Sequence, residues 1–92
     1  MDKKYPLRKN GILTRRIGDE WMLYNSEKGD IHVINSTAEF VWRMCDGSRS
    51  ISEIIHQVRD DYELSDEINI KKDIEDIIQI FWELGVLLYK EV

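Results

Sequence analysis

Cysteine and proline are almost missing from this chain of 92 residues: Cys45 and Pro6 are the single instance of each. One cysteine cannot close an internal disulfide, and Cys45 has no second cysteine or histidine at metal-site spacing, so a stapled secreted scaffold and a zinc module are both excluded. Read as a small apolar side chain, it belongs in the core. Glycine is confined to five positions, all at expected turns or helix ends, and none builds a glycine-rich phosphate loop. No apolar stretch comes near the ~20 residues needed to cross a bilayer. The basic amino terminus also lacks the apolar segment of a signal peptide, so the expected location is the cytoplasm, with no membrane partner.

Positive charge is scarce over most of the sequence. The net charge is −5, but residues 1–16 hold Lys3, Lys4, Arg8, Lys9, Arg15 and Arg16 against Asp2, which leaves the rest of the chain at −10. A nucleic-acid reader gains affinity by releasing counterions from a basic face, and an acidic body offers none. The length fits one domain, which buries roughly 60–65% of its unfolded surface, so every element must share a single core.

What is present is a run of short strands followed by amphipathic helices. Ile12 to Ile17 alternates and ends at the Gly18-Asp19 turn, and Glu20 to Asn25 forms the next strand. Trp21 and Leu23 face one side there, Met22 and Tyr24 the other. After the Ser26-Glu27-Lys28-Gly29 turn, the β-branched run from Asp30 to Asn35 makes a third strand. Ser36 and Glu39 have the spacing of a capping box, which opens a helix whose stripe is Phe40, Val41, Met44 and Cys45, with Trp42 widening it and Asp46-Gly47 closing it. Ser50 and Glu53 repeat that signal before Ile51, Ile54, Ile55, Val58 and Tyr62. Glu63 to Ile68 reads as an acidic linker anchored by Leu64 and Ile68. Asn69 is the expected cap of a third helix from Ile70 to about Leu84, whose stripe of Ile70, Ile74, Ile77, Ile78, Phe81 and Leu84 is too broad for one neighbour. Ile80 and Trp82 lie on its opposite flanks, Gly85 stops it, and Val86 to Tyr89 forms an apolar exit.

This order predicts an α+β fold: a three-stranded antiparallel sheet followed by three helices. Residues 1–10 are expected to be a flexible basic arm and residues 11–92 a single domain. The second and third strands are apolar on both faces, so the arm, a second copy of the chain or a partner covers the far face, or it stays exposed. An arm- or strand-swapped homodimer is among the outcomes this permits.

The residues offer no catalytic constellation. His32 sits in a strand and His56 on a polar helix flank, neither placed with a nucleophile or a paired carboxylate. The acidic runs Asp60-Asp61 and Asp73, Glu75, Asp76 read as solvated faces, or as surfaces for a basic arm or basic partner. What remains is a sheet edge, whose unpaired N–H and C=O groups can accept another chain as an added strand.

The string from Ile31 to Ile54, IHVINSTAEFVWRMCDGSRSISEI, resembles the PqqD family of peptide-binding chaperones, also called RiPP recognition elements. The shared features are Ile34-Asn35 at a strand end, Thr37-Ala38, Asp46-Gly47, the segment Ser50 to Ile54, Asp73, and Leu84-Gly85-Val86. The resemblance implies a winged-helix-like module without catalytic residues or a cofactor of its own. It also implies that the leader of a ribosomally made precursor peptide lies along the third strand, at Ile31, His32, Val33, Ile34 and Asn35. On the third helix the contacts implied are Asp73, Ile77, Ile80 and Phe81, with Trp82 as the alternative to Ile80. Lys71 and Lys72 could meet acidic leader residues or simply be solvated. The implied second partner is a modifying enzyme, a radical-SAM protein as in pyrroloquinoline quinone biosynthesis or a leader protease of a lasso-peptide pathway. A small winged-helix regulator of DNA is the alternative function, which the topology permits and the acidic body opposes.

Overall fold

A computed structural model describes residues 4–62 and 67–91. In chain order the elements are β1 (Lys4–Arg8), β2 (Ile12–Ile17), β3 (Glu20–Asn25), β4 (Asp30–Ile34), α1 (Ser36–Met44), α2 (Ile51–Tyr62), α3 (Glu67–Glu83) and β5 (Leu87–Glu91). The antiparallel sheet β2-β3-β4 and the three following helices are as the patterning predicts, and a second antiparallel pair, β1-β5, is added to them. The class is α+β.

Leu23, on the inner face of the central strand, is fully buried with Val41, Ile54, Val58, Ile74, Ile78 and Phe81 from the three helices. Trp42 and Phe81 meet edge to face with ring centroids 5.3 Å apart, which locks α1 to α3 at the middle of this core. The broad stripe on α3 has its explanation here, because α3 packs on α2, α1 and β5.

The amino-terminal segment departs from the expected free arm. From Lys4 it is a strand, paired from Lys4↔Glu91 to Arg8↔Leu87, and Pro6 is fully buried. On its other side β1 is stitched to the α1–α2 connection: Gly47 N–H donates to the Pro6 carbonyl at 2.9 Å and Arg8 N–H to the Cys45 carbonyl at 2.9 Å. The Pro6 carbonyl thus points away from β5, so the N–H that proline lacks is not needed by that ladder. Gly47 has φ 81°, a backbone angle that favours glycine, and lies close beneath β1, where a Cβ would stand 3.2 Å from Leu7 Cδ1 and crowd it. Residues 1–3 of the expected arm, and most of the expected linker from Glu63, lie outside the described residues.

Helix starts differ in detail. Asn35, not Ser36, caps α1, its Oδ1 accepting from Ala38 N–H at 2.8 Å, while Glu39 turns instead to Arg43 at 2.9 Å. Asparagine is as good a cap as serine and stands one residue earlier, where β4 is already ending. At α2 the capping box forms as its spacing predicts: Ser50 N–H to Glu53 Oε1 at 2.9 Å and Glu53 N–H to Ser50 Oγ at 3.2 Å. Helix α3 begins at Glu67, so Asn69 lies within its first turn rather than capping it. Asparagine costs a helix only a few tenths of a kcal/mol, which the buried stripe starting at Ile70 outweighs. The helix ends in a Schellman motif: Val86 N–H reaches the Phe81 carbonyl at 3.2 Å and Gly85 N–H the Trp82 carbonyl at 3.1 Å. Val86 and Phe81 are both buried there, and β5 follows directly.

Candidate functional site

The polarity of β4 follows from the ladder. Directly opposed residues in an antiparallel pair alternate between exchanging both hydrogen bonds and pointing them away. Ser26 N–H donates to the Gly11 carbonyl at 3.1 Å, one step beyond the pair Ile12↔Asn25. Tyr24 and Met22 therefore bond to β2, and Asn25, Leu23 and Trp21 bond to β4 at Asp30, His32 and Ile34. Among the described residues no strand pairs with the other side of β4, so Ile31 and Val33 aim both backbone groups outward from the edge of the sheet.

Beside this edge lies α3. Lys28, in the β3–β4 turn, places its ammonium within 3.1 Å of where a Cβ on Gly85 would be, so the turn stands at the carboxyl end of the helix. The last turn of α3 holds no basic residue of its own, and the Lys28 charge meets that end of the helix dipole. From there β4 and α3 run antiparallel, and between them opens a groove of about 260 Å³ lined by Val33, Ile34, Asn35, Ala38, Ile77, Ile80 and Phe81. Six of its seven lining residues are apolar, Asn35 being the exception. Phe81 is its rigid floor, while Ile80, 51% exposed, forms the outer lip.

The structure brings together most of the residues that the sequence singled out, and separates the rest. Val33, Ile34, Asn35, Ile77, Ile80 and Phe81 all line the groove. Ile31 projects from the outer face of the sheet. His32 turns beneath the sheet opposite Leu23, its Nε2 buried without a hydrogen-bond partner among the described residues. Asp73 is exposed one turn before Ile77, outside the groove lining, as are Lys71 and Lys72. Trp82, the alternative to Ile80, stacks on Tyr89 at 5.0 Å on the other flank. Ala38 is the residue the sequence reading passed over: its small side chain leaves the space between Asn35 and Phe81 open, and the Thr37-Ala38 pair was its signal.

A second cleft, of about 530 Å³, lies across α1 from the groove, lined by Arg8, Thr14, Trp21, Glu39, Trp42 and Arg43. Its polar groups serve the fold. The Arg8 guanidinium donates to the carbonyls of Trp42 and Arg43 at 3.0 and 2.7 Å, capping the end of α1, and the Trp42 indole N–H donates to Thr14 Oγ1 at 3.1 Å. Burial pushes the Cys45 thiol up to about 12, the nearby Arg8 charge opposing only part of that rise, so its nucleophilic thiolate is suppressed at neutral pH. Asp46 is held below the usual carboxylate range, chiefly by the Ser48 hydroxyl, and serves the turn into α2.

Comparison with solved structures returns two similar chains. One is TbiB1 in complex with the TbiA(beta) leader peptide, with a TM-score of 0.74 and 16% identity over 88% of this chain and 93% of that one. The other is lasso peptide synthetase B1 complexed with the leader peptide, with a TM-score of 0.75 and 17% identity over 91% of this chain and 98% of that one. At such identities the likeness is one of fold. Comparison with curated proteins gives no match. The family model described as coenzyme PQQ synthesis protein D matches residues 20–87, from the central strand through the groove helix to β5, and the chain therefore belongs to the PqqD family.

Proposed function

We propose that this protein is a non-catalytic adaptor that captures the leader of a ribosomally synthesised precursor peptide by strand addition at β4 and presents the remainder to a modifying enzyme. The observation that carries this reading is the free β4 edge, with the outward backbone groups of Ile31 and Val33 set beside an apolar groove. An added strand takes its affinity from main-chain hydrogen bonds to that edge and its specificity from alternate side chains dropping toward Ala38, Ile77, Ile80 and Phe81. Asn35 holds the corner between strand and helix, His32 backs the pairing strand from inside, and Asp73 stands one turn beyond the groove to meet a basic leader residue. The two similar solved chains, each bound to a leader peptide, support the assignment.

Moderate affinity, on the order of micromolar, suits an adaptor that must release its peptide, since co-binding with the enzyme supplies effective concentration. The enzyme is a radical-SAM protein or a leader protease, and any cofactor belongs to it. Fluorescence-polarisation titration of the labelled leader against the wild-type chain and Ile80→Asp tests the reading. Ile80 is half exposed, so the variant is expected to fold and to bind at least tenfold more weakly. A wild-type chain that leaves the leader unbound at 100 µM refutes the proposal.

A further inference from the structure

The cleft across α1 is not used by the leader groove, yet the elements around it repeat the layout of that groove: a sheet edge beside a helix. Here the edge is β2. The ladder that turns the backbone groups of Leu13 and Arg15 toward β3 turns those of Thr14 and Arg16 outward, and among the described residues no strand pairs with them. Every residue of β2 after Ile12 is exposed. Thr14 joins edge to cleft, since its side chain lines the cavity and accepts the Trp42 indole N–H while its backbone faces out.

The lining sets two guanidinium groups, Arg8 and Arg43, and two indoles, Trp21 and Trp42, around a space of about 530 Å³. Arg8 reaches the carbonyls at the end of α1 through Nη1 alone, and Arg43 meets Glu39 through Nε alone. The remaining nitrogens of both are without a hydrogen bond among the described residues, and the Arg43 side chain is 58% exposed. Glu39 is the one acid on the lining against two arginines, so the cleft is net positive in a chain whose total is −5. Arg16 stands nearby, opposite Trp21 on the same face of the sheet. Part of the positive charge concentrated in residues 1–16 is thus gathered at one cavity by β1 and β2.

We infer that this cleft and the β2 edge form a second strand-addition site, which takes an extended acidic segment of the precursor lying beyond its leader. The inference rests on the adaptor reading above. A strand added at β2 turns alternate side chains, roughly 6.6 Å apart, to the inner side of the sheet. Carboxylates in those positions meet the unused donors of Arg8 and Arg43, and their apolar neighbours pack on Trp21. An edge of one short strand falls far below the ~800 Å² per partner that holds a free protein, so the occupant is one already tethered, as the precursor is through β4. From a strand beyond β4 to a strand beyond β2 is four spacings, about 19 Å. About six extended residues cover that span, so the acidic segment starts at least that far past the leader. A second copy of the chain is disfavoured, because edge pairing through β2 brings the same basic strand, with Arg15 and Arg16, to a basic edge.

The test compares labelled leader with labelled full-length precursor by fluorescence polarisation, on the wild-type chain, Arg16→Pro and Arg43→Gln, each checked for folding by circular dichroism. Arg16→Pro removes an outward N–H from the β2 edge, and Arg43→Gln removes a charge from the cleft while keeping a donor for Glu39. At low salt the wild-type chain is expected to bind the precursor at least fivefold more tightly than the leader alone, a gain that vanishes near 1 M salt, where charges are screened beyond ~3 Å. Both variants are expected to bind the leader within twofold of wild type and to lose the gain; either one decides if the other does not fold. No gain in the wild-type chain, a gain that survives high salt, or a gain retained in a folded variant overturns the inference and leaves the adaptor reading intact. Failure of the wild-type chain to bind leader overturns both. A gain that appears only when the modifying enzyme is added assigns the cleft to that enzyme, and a dimer in sedimentation velocity that Arg16→Pro dissociates assigns the edge to a second copy; each overturns the inference.

Discussion

Val33→Pro is the sharpest perturbation of the proposed edge. The ladder alternation places the Val33 N–H on the open side of β4, so replacing it leaves every bond between β3 and β4 in place. Proline is tolerated on an edge strand in that orientation, and the preceding residue, His32, already has the extended backbone that proline demands. The leader loses one backbone hydrogen bond, worth about 1 kcal/mol net, and its facing carbonyl is buried against the proline ring without a donor, at about 1–3 kcal/mol. A total near 2–4 kcal/mol weakens binding by about 30- to 800-fold. Ile34→Pro is the contrast: its N–H points toward β3, so the change breaks the ladder and lowers folding stability itself. Arg16→Pro, whose N–H faces outward on the opposite edge, controls for the generic effect of proline in this sheet. The assay is fluorescence polarisation with labelled leader, with thermal unfolding by circular dichroism on each variant. A folded Val33→Pro protein that binds within threefold of wild type, or an Arg16→Pro protein that weakens as much, refutes the assignment of β4 as the pairing edge.

Four further outcomes are expected. Asn35→Ala should cost about 1 kcal/mol of stability in urea unfolding through loss of the α1 cap, whereas Ser36→Ala should be close to neutral. Because burial raises the Cys45 thiol, native protein should resist a thiol reagent at pH 8 and react only on unfolding. The linkage has a definite sign: the neutral thiol's contribution to stability is fully present below pH 9, and is lost as pH rises from 9 toward 12, a decline that Cys45→Ala should flatten. Deleting residues 1–8 should lower the melting temperature markedly, because it removes buried Pro6 and strips β5 of its partner; an unchanged melting temperature would return this segment to the status of a free arm.

How far the site was legible depends on which residues are considered. Val33, Ile34 and Asn35 were readable as a strand end because β-branched residues run directly into cap chemistry. Ile77 and Phe81 were readable from their spacing as members of the apolar stripe of the third helix, whereas Ile80, on a flank of that stripe, was named through the family resemblance. Asp73 was named from a family pattern alone, and the geometry leaves it a turn away from the groove lining. His32 and Ile31, adjacent in sequence, fall on opposite faces of the sheet, which a contact list drawn along one strand does not separate. The cap of α1 was misplaced by one residue because Asn35 and Ser36 are both good caps, and only the end of β4 chooses between them.

Local chemistry written into the chain decides the elements themselves: turn glycines, the Ser50–Glu53 box, the alternation of strands and the 3.6-residue repeats are all interactions between near neighbours. The fate of residues 4–8 was not written there. That segment is basic and holds the single proline, and becomes a strand only because β5, some eighty residues later, and the carbonyls around Gly47 are brought against it. The choice of Ile80 over Trp82 as the lip of the groove was likewise tertiary, since both flank the same stripe and only the rotation of α3 against α1 and β4 distinguishes them. Pairing partners distant in sequence and the roll of a helix about its axis are set by packing of the whole core, and no local signal encodes either.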